Sequence, residues 1–290
     1  MRRWTATDAA GSLRAPAAHD DKYTRGVVGV RTGSVDFPGA AVLGVEAAWR
    51  TGVGMVRYVG PARAEVLARR PETVAAPGRV NAWVIGSGTD ATRRDAAETA
   101  ALRELLDGDV PVVVDAGALD LVDHPAAPVV VTPHAGEFAR LRDRLGLADL
   151  PPDADHADRD DAALETAERL GAAVLLKGAR SVAAAPGGFI AVIADSTPWL
   201  ATAGTGDVLA GVIGAVAAGS DALASAGDWG PVAATGAWLH GRAANIASSR
   251  FGLAGGPITA GDVAEALPFA VGEIVATAPV RADGPRRTAP

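Results

Sequence analysis

Cysteine is absent from this sequence. Disulfides, thiolate zinc sites, iron–sulfur clusters and cysteine nucleophiles are therefore excluded, and a cytoplasmic protein is expected. Aromatic residues are scarce, 13 in 290, so the core has to be built mostly from Ala, Val and Leu. No apolar run reaches the ~18 residues a membrane helix needs, so no membrane partner is expected. Long basic runs are missing and the net charge is -7, which argues against nucleic acid as a partner. The opening "MRRWTATDAAGSLRAP" has a twin Arg with no apolar stretch behind it, unlike a secretion signal. Lysine is the last scarcity. Lys22 and Lys177 stand against 25 arginines; retention where a compact point charge is needed and codon bias explain that count equally well.

What is present is an alternation of short apolar β-branched runs and longer helical patterns. Strands are expected at 26–30, 54–60, 82–86, 110–116, 128–132 and 172–178, and a hairpin over 181–193 turning at Pro186–Gly188. Helices are expected at 38–52, 91–108 and 136–146, from about 206, and across 231–247. This alternation predicts an α/β fold: one domain with a mostly parallel central sheet and helices on both faces. The domain is expected over 20–277. Residues 1–19 and 278–290, rich in Ala, Pro, Arg and Gly, are expected to be disordered. The acidic segment 148–161 reads as an exposed loop, and His156 within it as solvated rather than metal-bound.

Ligands of such sheets gather beyond the carboxyl ends of the strands. "GSGTD", "DAGALD", "TPHAGE", "KGARS" and "ATAGTGD" all fall there or open a helix. "IGSGTDA" fits the dinucleotide fingerprint weakly, since no clear strand-end acid follows at the right distance. Asp115 comes 27 residues after Gly88 and serves equally well as the cap of its own turn. There is no Walker A motif and no G-x-S-x-G elbow. "ATAGTGDVLAGVIGAV" is the most informative stretch. Gly204, Thr205 and Gly206 place unencumbered backbone N–H groups at a helix start, an anion hole suited to phosphate. Asp207 either caps that helix or faces the hole as a base toward a hydroxyl.

Taken in order, the blocks "KYTRGVVGVRTGSVDFPGAAVLGVEAAWRTGVGMVRYVGP", "VVVDAGALDLV", "VTPHAGEFARL", "LLKGARSVAAAPGG" and "ATAGTGDVLAGVIGA" resemble the ADP-dependent NAD(P)H-hydrate dehydratases, a family of ribokinase-like fold. The similarity runs from about 22 to 275. It implies that Ala41, Gly88 and His134 contact the hydrated nicotinamide nucleotide and that Asp207 meets its hydroxyl. It further implies that Lys177, Gly178, Ala179, Arg180 and Ser181 hold ADP, with Gly204, Thr205 and Gly206 at its phosphates. The implied activity is ADP-dependent dehydration that returns the hydrate to NADH or NADPH. Mg²⁺ is expected to accompany the phosphates without a dedicated cage, and a homotetramer is implied. An epimerase domain often precedes this one in the family; with about 20 residues ahead of the match, it is expected to be absent. Two departures stand out: Thr89 and Asp90 in "GSGTD", where the family has Gly-Pro-Gly-Leu-Gly, and Trp199 in "TPWLA", where it has Asn-Pro-Gly-Met-Ala. A small-alcohol kinase of the same fold uses the same hole and base. A non-catalytic nucleotide sensor, its substrate side closed by those departures, is the reading from a different class.

Overall fold

Valine triplets at Val112–Val114 and Val129–Val131 pair in parallel register, Val112 opposite Val129 and Val114 opposite Val131. Strands covered on both faces need no polar side, which is why these runs lack alternation. A computed structural model describes residues 2–151, 153–220 and 229–276. The strands are β1 (Arg2–Arg3), β2 (Val27–Arg31), β3 (Met55–Tyr58), β4 (Ala82–Ile85), β5 (Val112–Val114), β6 (Val129–Val131), β7 (Ala173–Leu176), β8 (Ser181–Ala185) and β9 (Phe189–Ile193). The helices are α1 (Ala6–Ala10), α2 (Pro38–Thr51), α3 (Arg63–Arg69), α4 (Ala96–Leu106), α5 (Ala135–Arg144), α6 (His156–Leu170), α7 (Thr205–Gly219), α8 (Gly230–Ser249) and α9 (Ala260–Val275).

One sheet runs in the order β1-β9-β8-β7-β6-β5-β4-β2-β3. It is parallel except where β8 runs against β7 and β9. Alternate residues of the strands serve two cores. Val28, Val84, Val113 and Val130 pack under α2, α7, α8 and α9. Ile85, Val112, Val114, Val129 and Val131 pack under the opposite layer, with Leu102 of α4, Phe138 of α5 and Ala163 of α6. The expected arrangement, a mostly parallel sheet with helices on both faces in one domain, is the one observed. On the first face α2 and α7 lie backbone to backbone. A side chain on Gly211 would run into the Gly44 carbonyl and come within 3.0 Å of Ala47 Cβ. That close approach sets the amino ends of both helices side by side at the carboxyl edge of the sheet.

Two expectations need correction. Residues 2–19 carry structure: β1 extends the sheet beside β9, and Trp4 is 3% exposed, with its indole N–H donating to Thr235 Oγ1 at 3.2 Å. The Trp4 and Phe189 rings meet edge to face at 5.8 Å, and a Thr5–Asp8 capping box starts α1. One large anchor and one cap order a segment whose average composition reads as disordered. The segment 148–161 is not all loop. Asp155 caps α6 in a reciprocal box with Asp158, so the acidic run is partly the start of a helix, and His156 is its first residue. The tail 278–290 and the boundary at 277 lie outside the described residues.

Candidate active site

Gly204 precedes α7 at φ +86°, a conformation that disfavours a side chain. No side chain caps this helix. The Thr205 hydroxyl donates back to the carbonyls of Leu200 and Thr202, closing the turn. Among the described residues the amides of Gly206 and Asp207 have no acceptor. They are bare donors at the positive end of a 15-residue helix. A β-carbon on Gly206 would meet only Lys177 Nζ, at 3.7 Å.

Asp207 is half-buried beside this opening, its Oδ2 3.9 Å from the place of a β-carbon on Gly204. It does not cap the helix. Burial above all, then the charge of Asp115, pushes its carboxyl up to about 6, with the Lys177 ammonium pulling the other way. A carboxylate with that proton affinity and no hydrogen-bond partner among the described residues is suited to taking a proton near neutral pH.

Lys177 follows β7. Its Nζ donates to Asp115 Oδ1 at 2.8 Å and lies 3.9 Å from Glu137 Oε2. Asp115, only 3% exposed, also accepts from Ser87 Oγ at 2.9 Å and Thr132 Oγ1 at 2.7 Å. Its carboxylate makes no cap bond to the turn that follows. His134 is the N-cap of α5. Its Nδ1 accepts from the Gly136 and Glu137 amides, and its Nε2 stands 3.4 Å from Glu137 Oε1. Glu137 completes the capping box at 2.8 Å, so it serves the helix start and faces Lys177 at once. The Lys177 amide donates to the Pro133 carbonyl, tying the two strand-end loops together.

Gly88, at φ +65°, packs against the first turn of α2. A side chain there would collide with Ala40 and come within 3.2 Å of Gly33 Cα. Ala41 is fully buried below and contacts Gly33, where a β-carbon would lie 2.9 Å from its own. This glycine floor adjoins the opening at Gly204, because Leu43 and Gly44 of α2 reach Gly204 and the Asp207 carbonyl. The residues of the 177–181 turn diverge. Gly178 and Ala179 are exposed, Ser181 Oγ bonds within the turn to Gly178, and the Arg180 guanidinium reaches Asp160 of α6 at 2.6 and 2.7 Å. Thr89 Oγ1 is turned back onto the Gly86 carbonyl at 2.7 Å, and Asp90 closes a local turn with Thr92. Trp199 is 45% exposed in a short 3₁₀ turn.

Sequence reasoning did not single out Asp115 with its partners Ser87 and Thr132. The signal was one acid after one strand, and only the side-by-side strand ends give it meaning. His240 of α8 is 6% exposed and lies beneath the loop, against the Thr205 backbone. Burial holds its imidazole down at about 4, so it is neutral, with Nε2 buried and unpartnered. Among the described residues no group of three or more His, Asp or Glu side chains is gathered to hold a metal ion, and no helix is long and apolar enough to cross a membrane.

Residues 28–268 match the family model described as NAD(P)H-hydrate dehydratase. The bifunctional NAD(P)H-hydrate repair enzyme Nnr of Mycobacterium tuberculosis is 50% identical over 225 residues, 73% of this chain and 45% of that protein. The chain thus spans about half the length of such bifunctional relatives. The ADP-dependent (S)-NAD(P)H-hydrate dehydratase of Neisseria meningitidis is 34% identical over 274 residues, 88% of each chain. The ADP/ATP-dependent NAD(P)H-hydrate dehydratase of Bacillus subtilis, co-crystallised with ATP and Mg²⁺, superposes with a TM-score of 0.80 at 26% identity, covering 94% of this chain and 98% of that one. On this match across most of its length, the chain belongs to the NAD(P)H-hydrate dehydratase family.

Proposed function

We propose that this chain dehydrates the hydrated form of NADH or NADPH at the expense of ADP. The observation that carries the reading is Asp207: half-buried, unpartnered, lifted to about 6, and set beside two bare amides and an ammonium. In this reading Asp207 takes the proton of the hydrate's hydroxyl, and the oxygen attacks the terminal phosphorus of ADP. The bond to AMP breaks, and AMP keeps its electrons. The amides of Gly206 and Asp207, with Lys177, face the charge that develops on the transferring group. Phosphate then leaves the ring carbon as the ring nitrogen's electrons push, a proton departs the neighbouring carbon, and the dihydropyridine is restored.

His134 and the Gly88 region line the proposed nucleotide-hydrate side, and Ala41, fully buried, supports that floor from below rather than contacting the ligand. The 177–181 turn, with Gly204, Thr205 and Gly206, lines the proposed ADP side. Mg²⁺ is expected as the companion ion of the ADP phosphates, whose charge it neutralises; among the described residues no cluster of His, Asp and Glu is gathered to hold a metal. A cytoplasmic homotetramer is the expected working form. Support for self-association comes from exposed apolar side chains around the end of α8, Trp199, Phe251 and Phe269 among them, and light scattering of the purified chain tests it. The activity test is one assay: hydrated NADPH with ADP, followed by absorbance of the dihydropyridine. Restoration that depends on ADP supports the reading. Phosphorylation of a small alcohol in its place would make the chain a kinase, and ADP binding with no turnover would make it a sensor.

A further inference from the structure

Four neighbouring strands end on one buried polar bridge. Ser87 lies just past β4, Asp115 follows β5, Thr132 follows β6 and Lys177 follows β7, and these strands are adjacent in the sheet. The Asp115 carboxylate accepts from all three of the others, and Ser87 and Thr132 are each 1% exposed. A carboxylate so deeply buried is costly unless every lone pair finds a donor. Here the two hydroxyls fix its orientation, and its remaining donor is the ammonium that lies beside Gly206.

Resting on the dehydratase reading, we propose that Asp115 is a positioning residue, which fixes the Lys177 ammonium beside the bare Gly206 and Asp207 amides and sets the charge that faces the Asp207 carboxylate. The other groups near Asp207 leave this role to Asp115. From α2, Gly44 faces the Asp207 carbonyl and Leu43 packs on Gly204, and from α9 Ala260 comes near Gly204, all of them uncharged. From α8 comes His240, which is neutral and sits behind Thr205. The charged neighbours are Asp115 and Lys177, and Glu137 stands behind Lys177. Without Asp115, Lys177 is a long flexible side chain whose place at the amino end of α7 nothing else enforces as closely.

The test is a double-mutant cycle on ADP affinity, read by calorimetry without turnover, using Lys177→Ala, Asp115→Asn and both together. If Asp115 positions Lys177, Lys177→Ala weakens ADP about tenfold in the wild-type background and about threefold or less beside Asp115→Asn. Equal losses in the two backgrounds overturn the proposal. Should Asp115→Asn fail to fold, Thr132→Val removes the hydroxyl that shares Oδ1 with Lys177 and should reduce the Lys177→Ala loss in the same direction; an unreduced loss overturns the proposal. Where the wild type turns over, Asp115→Asn should also move the acid limb of kcat/KM down by about half a pH unit or more, because a like charge facing Asp207 is gone. A merely structural role would leave that limb in place. A wild type that binds ADP but restores no dihydropyridine defeats the dehydratase reading, while the binding cycle still decides the role of Asp115.

Discussion

Lys177 Nζ stands 3.7 Å from the point where a β-carbon on Gly206 would sit. Among the described residues no other atom outside its own helical turn lies within 4 Å of that point, and the Gly206 backbone is not in the left-handed region. Gly206→Val should therefore fold normally, yet its methyls would fill the space in front of the α7 amides. ADP affinity is expected to fall at least tenfold, or about 1.4 kcal/mol, with little change in melting temperature. Arg79→Gln, which removes an exposed charge, serves as the comparison and should change affinity little. Normal ADP binding by the valine variant would place the nucleotide elsewhere.

Asp207→Asn keeps the size and shape of the side chain but cannot accept a proton. Turnover is expected to fall by about 10²–10⁴-fold, the usual range for a lost general base, while ADP affinity stays within a few-fold. Initial rates and calorimetry on the same preparation check both halves. Retained activity would reduce Asp207 to a polar residue of the first helical turn.

The sheet was legible because its buried parallel strands are runs of valine and alanine, and the hairpin turn at Pro186–Gly188 falls where Gly187 and Gly188 take positive φ. The opening with bare amides at the start of α7 was legible because a Gly-Thr-Gly-Asp run opens an apolar helix. Other features were hidden for identifiable reasons. Asp155 and Asp158 look like loop acids until one sees them exchange backbone bonds at the start of α6. Asp115 could not be told from a cap of its own turn because its partners lie 28, 17 and 62 residues away along the chain. The amino-terminal strand rests on one indole whose partner is 231 residues distant. Local pattern reports period and capping, whereas these features depend on which strand ends become neighbours.

Trp4→Ala tests the docking of the amino-terminal segment. The substitution removes a buried indole, its bond to Thr235 and its edge contact with Phe189. Large-to-small changes of this kind cost about 3–5 kcal/mol. The variant should unfold at a clearly lower temperature and lose protection of β9 amides to hydrogen exchange, while the folded fraction binds ADP normally, since the segment contacts α8, α9 and β9 rather than the opening at Gly204. A change below about 1 kcal/mol, the ordinary size of a surface substitution, would mean that the segment is not held as described.

The Asp207 carboxyl links activity and stability through pH. Its proton affinity in the folded chain is raised from the ordinary 3.8 to about 6, by burial first and Asp115 second. The folded protein therefore keeps this proton to higher pH than the unfolded chain does. At pH well below 4 both forms hold it, and the group neither favours nor opposes folding. As pH rises toward 6 the unfolded chain ionises first, and the folded state loses stability relative to it. Above about 6 both are ionised and the loss is complete, on the order of 1–3 kcal/mol once partial solvent screening is allowed. Asp207→Asn carries no such proton, so it should be more stable than the wild type at pH 8, and the difference should shrink steadily on going down from pH 6 to 4. The same ionisation gives wild-type kcat/KM an acid limb near pH 6, because only the charged carboxylate accepts the hydroxyl proton. Melting curves of both proteins at several pH values, set beside the wild-type rate profile, check the two halves together. A wild type as stable as Asp207→Asn at pH 8, with activity unchanged down to pH 5, would show that the Asp207 carboxyl sits in water at its ordinary proton affinity.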